Sequence, residues 1–226
     1  MKERPILFSA PMVRALLAGT KKQTRRVLKT QPNEHHWQML PGYELKRSDM
    51  VTIDGRAAVK FSHSIPQNRG WDDATSWVRC PYGIPGDRLW VREAWRSGKL
   101  TDRFPPREMT PHVVWYEADG AAPEATNGRY RPGMFMPRWA SRITLEITEV
   151  RVERLQSISP DDAIAEGLQW DKHIGWGTWD ADGSPRCGGD HDPVDVYRCL
   201  WTNINGNGSW ELNPWVWVVA FRRLAC

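Results

Sequence analysis

The chain has 226 residues, 31 Lys plus Arg against 27 Asp plus Glu, a formal net charge of +4 and a mean hydropathy of −0.60. That length supports one domain with sizeable insertions and a core that needs no disulfide or metal staple. No apolar run approaches the about 18 residues of a membrane helix, so no membrane partner is expected, and the mild positive charge permits an anionic one. Tryptophan is the outlier, at 14 residues against 5 each of Tyr and Phe. The opening Met1-Lys2-Glu3-Arg4-Pro5 lacks a signal peptide's apolar stretch. Cys80, Cys187, Cys199 and Cys226 form no CxxC pair and no dense framework. The expectation is a reduced protein of the cytoplasm.

In chain order, Ile6-Leu7-Phe8 reads as a short strand. Pro11 suits a first helical turn, Met12, Ala15 and Leu16 share a face and Gly19 is a stop, so a helix is expected from Ala10 to Ala18. Thr20-Lys21-Lys22-Gln23-Thr24-Arg25-Arg26-Val27-Leu28 is a basic turn running into a strand, where Thr24 and Arg26 face the same way. By spacing alone this is a solvated turn. Residues 30–85 read as irregular except for a hairpin between Met50–Ile53 and Ala57–Phe61, joined by Asp54-Gly55. A turn at Ile84-Pro85-Gly86-Asp87 leads into a strand from Arg88 to Glu93. Residues 97–111 read as irregular, 113–117 as a strand and 118–132 as a loop.

From Arg142 to Leu155 apolar and polar residues alternate with one slip near Glu149, the signature of a long bulged strand. Ser159-Pro160-Asp161-Asp162 and Asp192-Pro193-Val194-Asp195 are helix starts with proline at the first turn. The first helix ends at Gly167 and the second near Asn203. Asp171 to His191 reads as a long loop, and Trp215 to Arg222 as a final strand. Strands outnumber short helices and no βαβ rhythm appears. The fold class is therefore α+β: a mixed β-barrel with short flanking helices and long loop insertions at about 30–84 and 171–192, in one domain over 1–226.

Arg88, Trp90 and Arg92 share one side of a strand, with Trp95 and Arg96 just beyond. Such a stripe either holds phosphates and stacks a base or pairs Arg with Trp internally. Trp90, Trp215 and Trp217 fall on expected strands. Trp37, Trp71, Trp77, Trp170, Trp176 and Trp179 fall in the insertions, and His35-His36 in a solvated loop. Cys187, Asp190, His191, Asp192 and Cys199 match no zinc spacing, and no phosphate loop, GxGxxG, GxSxG or HExxH is present, so no metal and no cofactor is expected.

Leu16 to Arg26, with Gly19, Lys21 and Arg26 in place, resembles the GxKxxxxR signature of ASCH domains, relatives of the PUA RNA-binding barrel. Pro85-Gly86-Asp87-Arg88-Leu89-Trp90-Val91, the stretch from Ile143 to Leu168 and the strand Trp215 to Phe221 resemble the family in the same order. The opening and the Trp90–Trp95 segment are most similar to ASCH proteins of phages and prophages, which implies the cytoplasm of a bacterial host. The matched pieces cover about half of the chain.

The resemblance implies a PUA-like barrel whose cleft meets a nucleoside or single-stranded nucleic acid. One branch resembles small amidohydrolases that deacetylate acetylated cytidine, and its lysine, threonine and glutamate fall on Lys21, Thr24 and Glu166. Lys21 would then be the base, Thr24 the nucleophile and Glu166 the assisting carboxylate, with Gly19, Arg25, Arg26, Arg92 and Trp95 as substrate-binding candidates. A threonine hydroxyl needs such a base at neutral pH, and a lysine in an apolar cleft loses its proton more readily. A non-catalytic RNA- or DNA-binding protein, a nuclease, and a phage module that docks on a host protein stay open as alternatives.

Overall fold

The computed structural model describes residues 1–32, 45–65, 70–73, 77–120, 127–179 and 184–225. His35, His36, Trp37 and Cys226 lie outside the described residues. The elements are β1 (Glu3–Leu7), α1 (Ala10–Leu17), β2 (Gln23–Val27), β3 (Leu45–Arg47), β4 (Val51–Ile53), β5 (Arg56–Val59), β6 (Phe61–Ile65), β7 (Gly70–Asp73), β8 (Val78–Arg79), β9 (Arg88–Arg92) and β10 (Trp95–Gly98). There follow β11 (Val114–Tyr116), β12 (Asn127–Arg131), β13 (Thr144–Arg154), α2 (Pro160–Ala165), β14 (Gln169–Asp171), β15 (Gly175–Trp179), β16 (Pro185–Asp190), α3 (Pro193–Asn205) and β17 (Trp215–Arg223). The architecture is α+β, mostly strands in several sheets.

A five-stranded sheet in the order β1-β9-β13-β17-β2 forms the centre, parallel between β1 and β9 and antiparallel elsewhere. Its strand β17 is buried on both faces. Trp217, Val219 and Phe221 join a core with Val13 and Leu16 of α1, while the alternating Val216 and Val218 join a second core with Val196, Leu200 and Trp201 of α3. Period-two alternation thus feeds two apolar layers, one on each face. The slip near Glu149 is a register shift between Ile147 and Glu149 where β13 pairs with β17.

The sheet is open. Among the described residues no ladder joins its edge strands β1 and β2. The Arg26 guanidinium reaches across instead, donating from Nη2 to the Leu7 carbonyl at 2.6 Å and lying 5.3 Å from the centre of the Phe8 ring. A side chain thus bridges the two edges where a closed barrel would place backbone hydrogen bonds.

Local signals hold where the chain makes its own contacts. The Ser159 hydroxyl accepts from the Asp162 amide at 3.2 Å, and Asp192 Oδ1 from the Val194 amide at 2.8 Å, capping α2 and α3. Asp54 and Gly55 take φ of 52° and 68°, the paired positive values of a tight hairpin, between β4 and β5.

Three expectations need correction. The stretch from Asp171 to His191 is no loop, because β14, β15 and β16 form a sheet there. The segment 30–85 contains two further small sheets, β3-β6-β7 and β4-β5-β8. These strands are short, and the glycines in Gly175–Trp179 and Pro185–Asp190 hide their alternation. Finally, Cys187 and Cys199 are joined as a disulfide with Cα atoms 5.9 Å apart. Their spacing matches no motif, because the pairing arises from α3 packing on β16. Cys80 is free and buried.

Candidate functional site

The segment from Gly19 to Arg26 is clamped on three sides. Gly19 takes a φ of 76°, which an L side chain rarely adopts, and lets the chain leave α1. The amides of Thr20 and Lys21 both donate to the Ala15 carbonyl, at 3.0 and 3.1 Å. The Lys22 amide donates to Ala165 at the end of α2 at 2.8 Å, and the Lys22 carbonyl accepts from Phe221 of β17 at 2.9 Å. The expected solvated turn is therefore a buried junction of α1, α2 and the central sheet.

Its charges meet those of α2. Lys21 and Glu166 are both almost fully buried. Lys21 Nζ donates to Glu166 Oε2 at 2.8 Å and to the Glu166 carbonyl at 2.7 Å. Arg25 Nη2 donates to Asp162 Oδ2 at 2.7 Å and to Glu153 Oε2 at 3.1 Å, and Nη1 reaches Glu166 Oε1 at 3.5 Å. Arg151 joins from β13, with Nη2 2.6 Å from Asp162 Oδ2.

The protonation preferences follow from this packing. Burial pulls the Lys21 ammonium below its ordinary value, outweighing the opposite pull of Glu166, with Arg26 and Arg25 adding to the lowering. Burial pushes the Asp162 carboxyl up, yet Arg25 and Arg151 overcome it and hold the group below the ordinary carboxylate value.

Beside this cluster lies a cleft of about 200 Å³, lined among others by Thr24, Arg25, Glu166, Tyr197 and Trp201. Tyr197 and Trp201 come one helical turn apart from the buried face of α3, with ring centres 6.2 Å apart. Several polar atoms at this cleft lack a protein partner among the described residues. The buried Nε atoms of Arg25 and Arg26 and the Trp201 indole nitrogen make no hydrogen bond. Neither the Thr24 hydroxyl nor the Tyr197 hydroxyl is bonded to a protein group. Burial holds the Tyr197 phenol well above its ordinary value, so it stays a neutral donor. The site combines a buried amine that loses its proton more readily than an ordinary lysine, a hydroxyl, a carboxylate, neutral donors and an aromatic wall.

Of the predicted site residues, Thr24, Arg25, Arg26 and Glu166 line this cleft, Lys21 lies buried behind it on Glu166, and Gly19 is exposed at the end of α1. Arg26 also bridges the sheet edges. Arg92 and Trp95 do not line this cleft. Trp95 is 0% exposed, packed among Met109, Met136 and Ala140 under the Arg131 guanidinium, and has no face for a ligand. Trp90 is likewise buried, with Arg92 4.6 Å and Arg138 5.9 Å from its ring, so the stripe pairs internally. Sequence reasoning missed Tyr197 and Trp201. Their i, i+4 spacing reads as ordinary helix core, and only the docking of α3 beside Glu166 makes them part of a cleft.

Compared with known families, curated proteins and solved structures, the chain matches none.

Proposed function

We propose that the cleft at Lys21, Thr24 and Glu166 receives a modified pyrimidine nucleoside and hydrolyses an amide on its base, as on an acetylated cytidine. The observation that carries this reading is the meeting of Lys21 and Glu166, 145 residues apart in sequence, at 2.8 Å behind a cleft lined by Glu166 and Thr24. The resemblance of the Gly19–Arg26 segment to the ASCH signature supports it. The volume of about 200 Å³ lies below the about 300–1,000 Å³ of common ligand pockets. It suits a single ring with the sugar left outside.

In this mechanism Thr24 Oγ1 adds to the acyl carbon and its proton passes to neutral Lys21 Nζ. Collapse of the adduct breaks the carbon–nitrogen bond, and Lys21 returns the proton to the leaving amine nitrogen. A water then adds to the acyl-threonine carbon, its proton taken by Lys21. Collapse breaks the ester bond, returns that proton to Thr24 Oγ1 and releases the acid. Glu166 holds Lys21 in place and stabilises its ammonium form. Tyr197, kept neutral, donates toward the acyl oxygen.

The test is incubation with N4-acetylcytidine, with cytidine and acetate followed by chromatography. Wild-type protein releases both. Lys21→Met and Thr24→Val lose at least about 100-fold in rate, within the range of a general base, while Thr24→Ser retains turnover because it keeps the hydroxyl. No product, or equal rates in Lys21→Met, removes the amidase reading. The rate rises with pH as Lys21 loses its proton, with the inflection below the ordinary lysine value.

One observation favours a second reading, recognition without turnover. Both hydrogen bonds of Lys21 Nζ go to Glu166 and neither to Thr24. Saturable binding of the nucleoside with no product identifies that case.

A further inference from the structure

A second cleft, of about 700 Å³, lies away from Lys21. Its walls come from the segments around β12 and the short turns at Pro106–Glu108 and Gly133–Phe135. These segments lie outside the stretches that resemble ASCH domains. Arg92, Arg107, Arg129, Tyr130, Met134 and Phe135 line it, and no carboxylate is among its described lining residues.

Two aromatic rings at this cleft are held open to solvent. Tyr130 is 52% and Phe135 57% exposed, whereas Trp90 and Trp95 nearby are buried. The Arg96 guanidinium packs 5.7 Å from the Tyr130 ring and fixes it, and Arg96 is itself tied to Glu117 and to the Gly128 carbonyl. Asp102 holds the Arg129 amide from behind through both carboxylate oxygens, at 2.9 and 3.1 Å. The Arg129 side chain makes no bond to a described residue. Arg92 leaves its buried Nε without a partner while its Nη1 donates to the Met134 carbonyl at 3.3 Å, and among the described residues the exposed Arg107 pairs only with the neighbouring Glu108, at 3.4 Å.

We infer that this cleft binds single-stranded nucleic acid, with Arg92, Arg107 and Arg129 taking phosphates and Tyr130 and Phe135 stacking bases. A lining that gathers several guanidinium groups and no carboxylate suits a polyanion. Solvent-facing rings on a fixed backbone suit unpaired bases, whose faces are available for stacking. The cleft also adjoins the first site through one residue. Leu7 pairs with Arg92 across the β1–β9 ladder, and its carbonyl accepts from Arg26. The inference goes beyond the amidase reading and stands whether or not Lys21 is catalytic.

The experiment is fluorescence anisotropy of labelled 12-nucleotide oligo(dT) and oligo(U), titrated with full-length protein over a range of salt. Tyr130→Ala and Phe135→Ala should each weaken binding about 5- to 150-fold, the range of base–aromatic stacking. Arg107→Ala and Arg129→Ala should each flatten the salt dependence by about 0.7 in log–log slope. Leu212→Ala, an exposed position outside this cleft, should leave affinity unchanged, and circular dichroism verifies that each variant is folded. The inference is overturned by no binding to either oligonucleotide, by binding indifferent to all four cleft variants, or by equal competition from a duplex of the same length. Capture of a host protein without oligonucleotide binding overturns it equally. Because the oligonucleotides carry no acetylated base, an active amidase that ignores them sinks this inference alone, and a binder with no amidase activity sinks the other alone.

Discussion

Lys21 to Arg26 and Arg88 to Arg92 both carry cations into strands of the same sheet, yet they end in opposite environments. Around β2 Lys21 and Arg25 are buried and matched by Asp162 and Glu166 from α2 and Glu153 from β13. Around β9 the apolar residues are buried and Arg92 stays partly exposed, its guanidinium spread over the Trp90 ring. The strands' own composition does not separate these outcomes. What separates them is the element packed on top: a helix ending in carboxylates draws guanidinium and ammonium groups inward, whereas tryptophan faces hold arginine at the boundary. A buried cation is tolerated only beside a fixed countercharge, while cation–π pairing works at a wet surface.

The comparison is broken hardest at Glu166. Glu166→Gln leaves the Lys21 ammonium buried without its carboxylate and should cost about 3–5 kcal/mol in urea unfolding, while Lys21→Met with Glu166→Gln restores most of it. A loss under about 1 kcal/mol in the single variant means that Lys21 is not desolvated as described.

Asp162 gives the next effect. Its two arginine bonds should contribute about 1.5–3 kcal/mol. Its carboxyl titrates lower folded than unfolded, so that contribution is complete above the ordinary carboxylate value and is lost as pH falls through the folded one. Asp162→Asn should therefore flatten the acid limb of a stability–pH curve, and an unchanged limb counts against the network.

The smallest effect belongs to β9. Arg92→Ala removes a partly exposed cation–π contact and should cost about 0.5–1 kcal/mol. A loss as large as that of Glu166→Gln would erase the distinction between the two strands.

Much of the framework was legible in the residues. The Ala10 helix, the Asp54-Gly55 hairpin, the bulged strand around Glu149, both capped helices and the last strand depend on contacts within a few residues or on simple alternation. Beyond that hairpin the small sheets in the insertions were not legible, because strands of two to six residues, some with internal glycines, show no period. The Cys187–Cys199 bond was hidden because it links a strand to a helix by packing alone.

The candidate site divides in the same way. By itself, the sequence determined that Gly19 would end a helix, that Lys21, Thr24, Arg25 and Arg26 would enter a strand together and that Glu166 would close a short helix, since local backbone geometry settles each. Only the tertiary structure decided that Glu166 meets Lys21, that Tyr197 and Trp201 wall the cleft beside them, and that Trp95 is sealed in a core. Those outcomes depend on which elements exclude water from which side chains, and that desolvation is set by partners well outside each residue's own element, 145 residues away for Lys21 and Glu166.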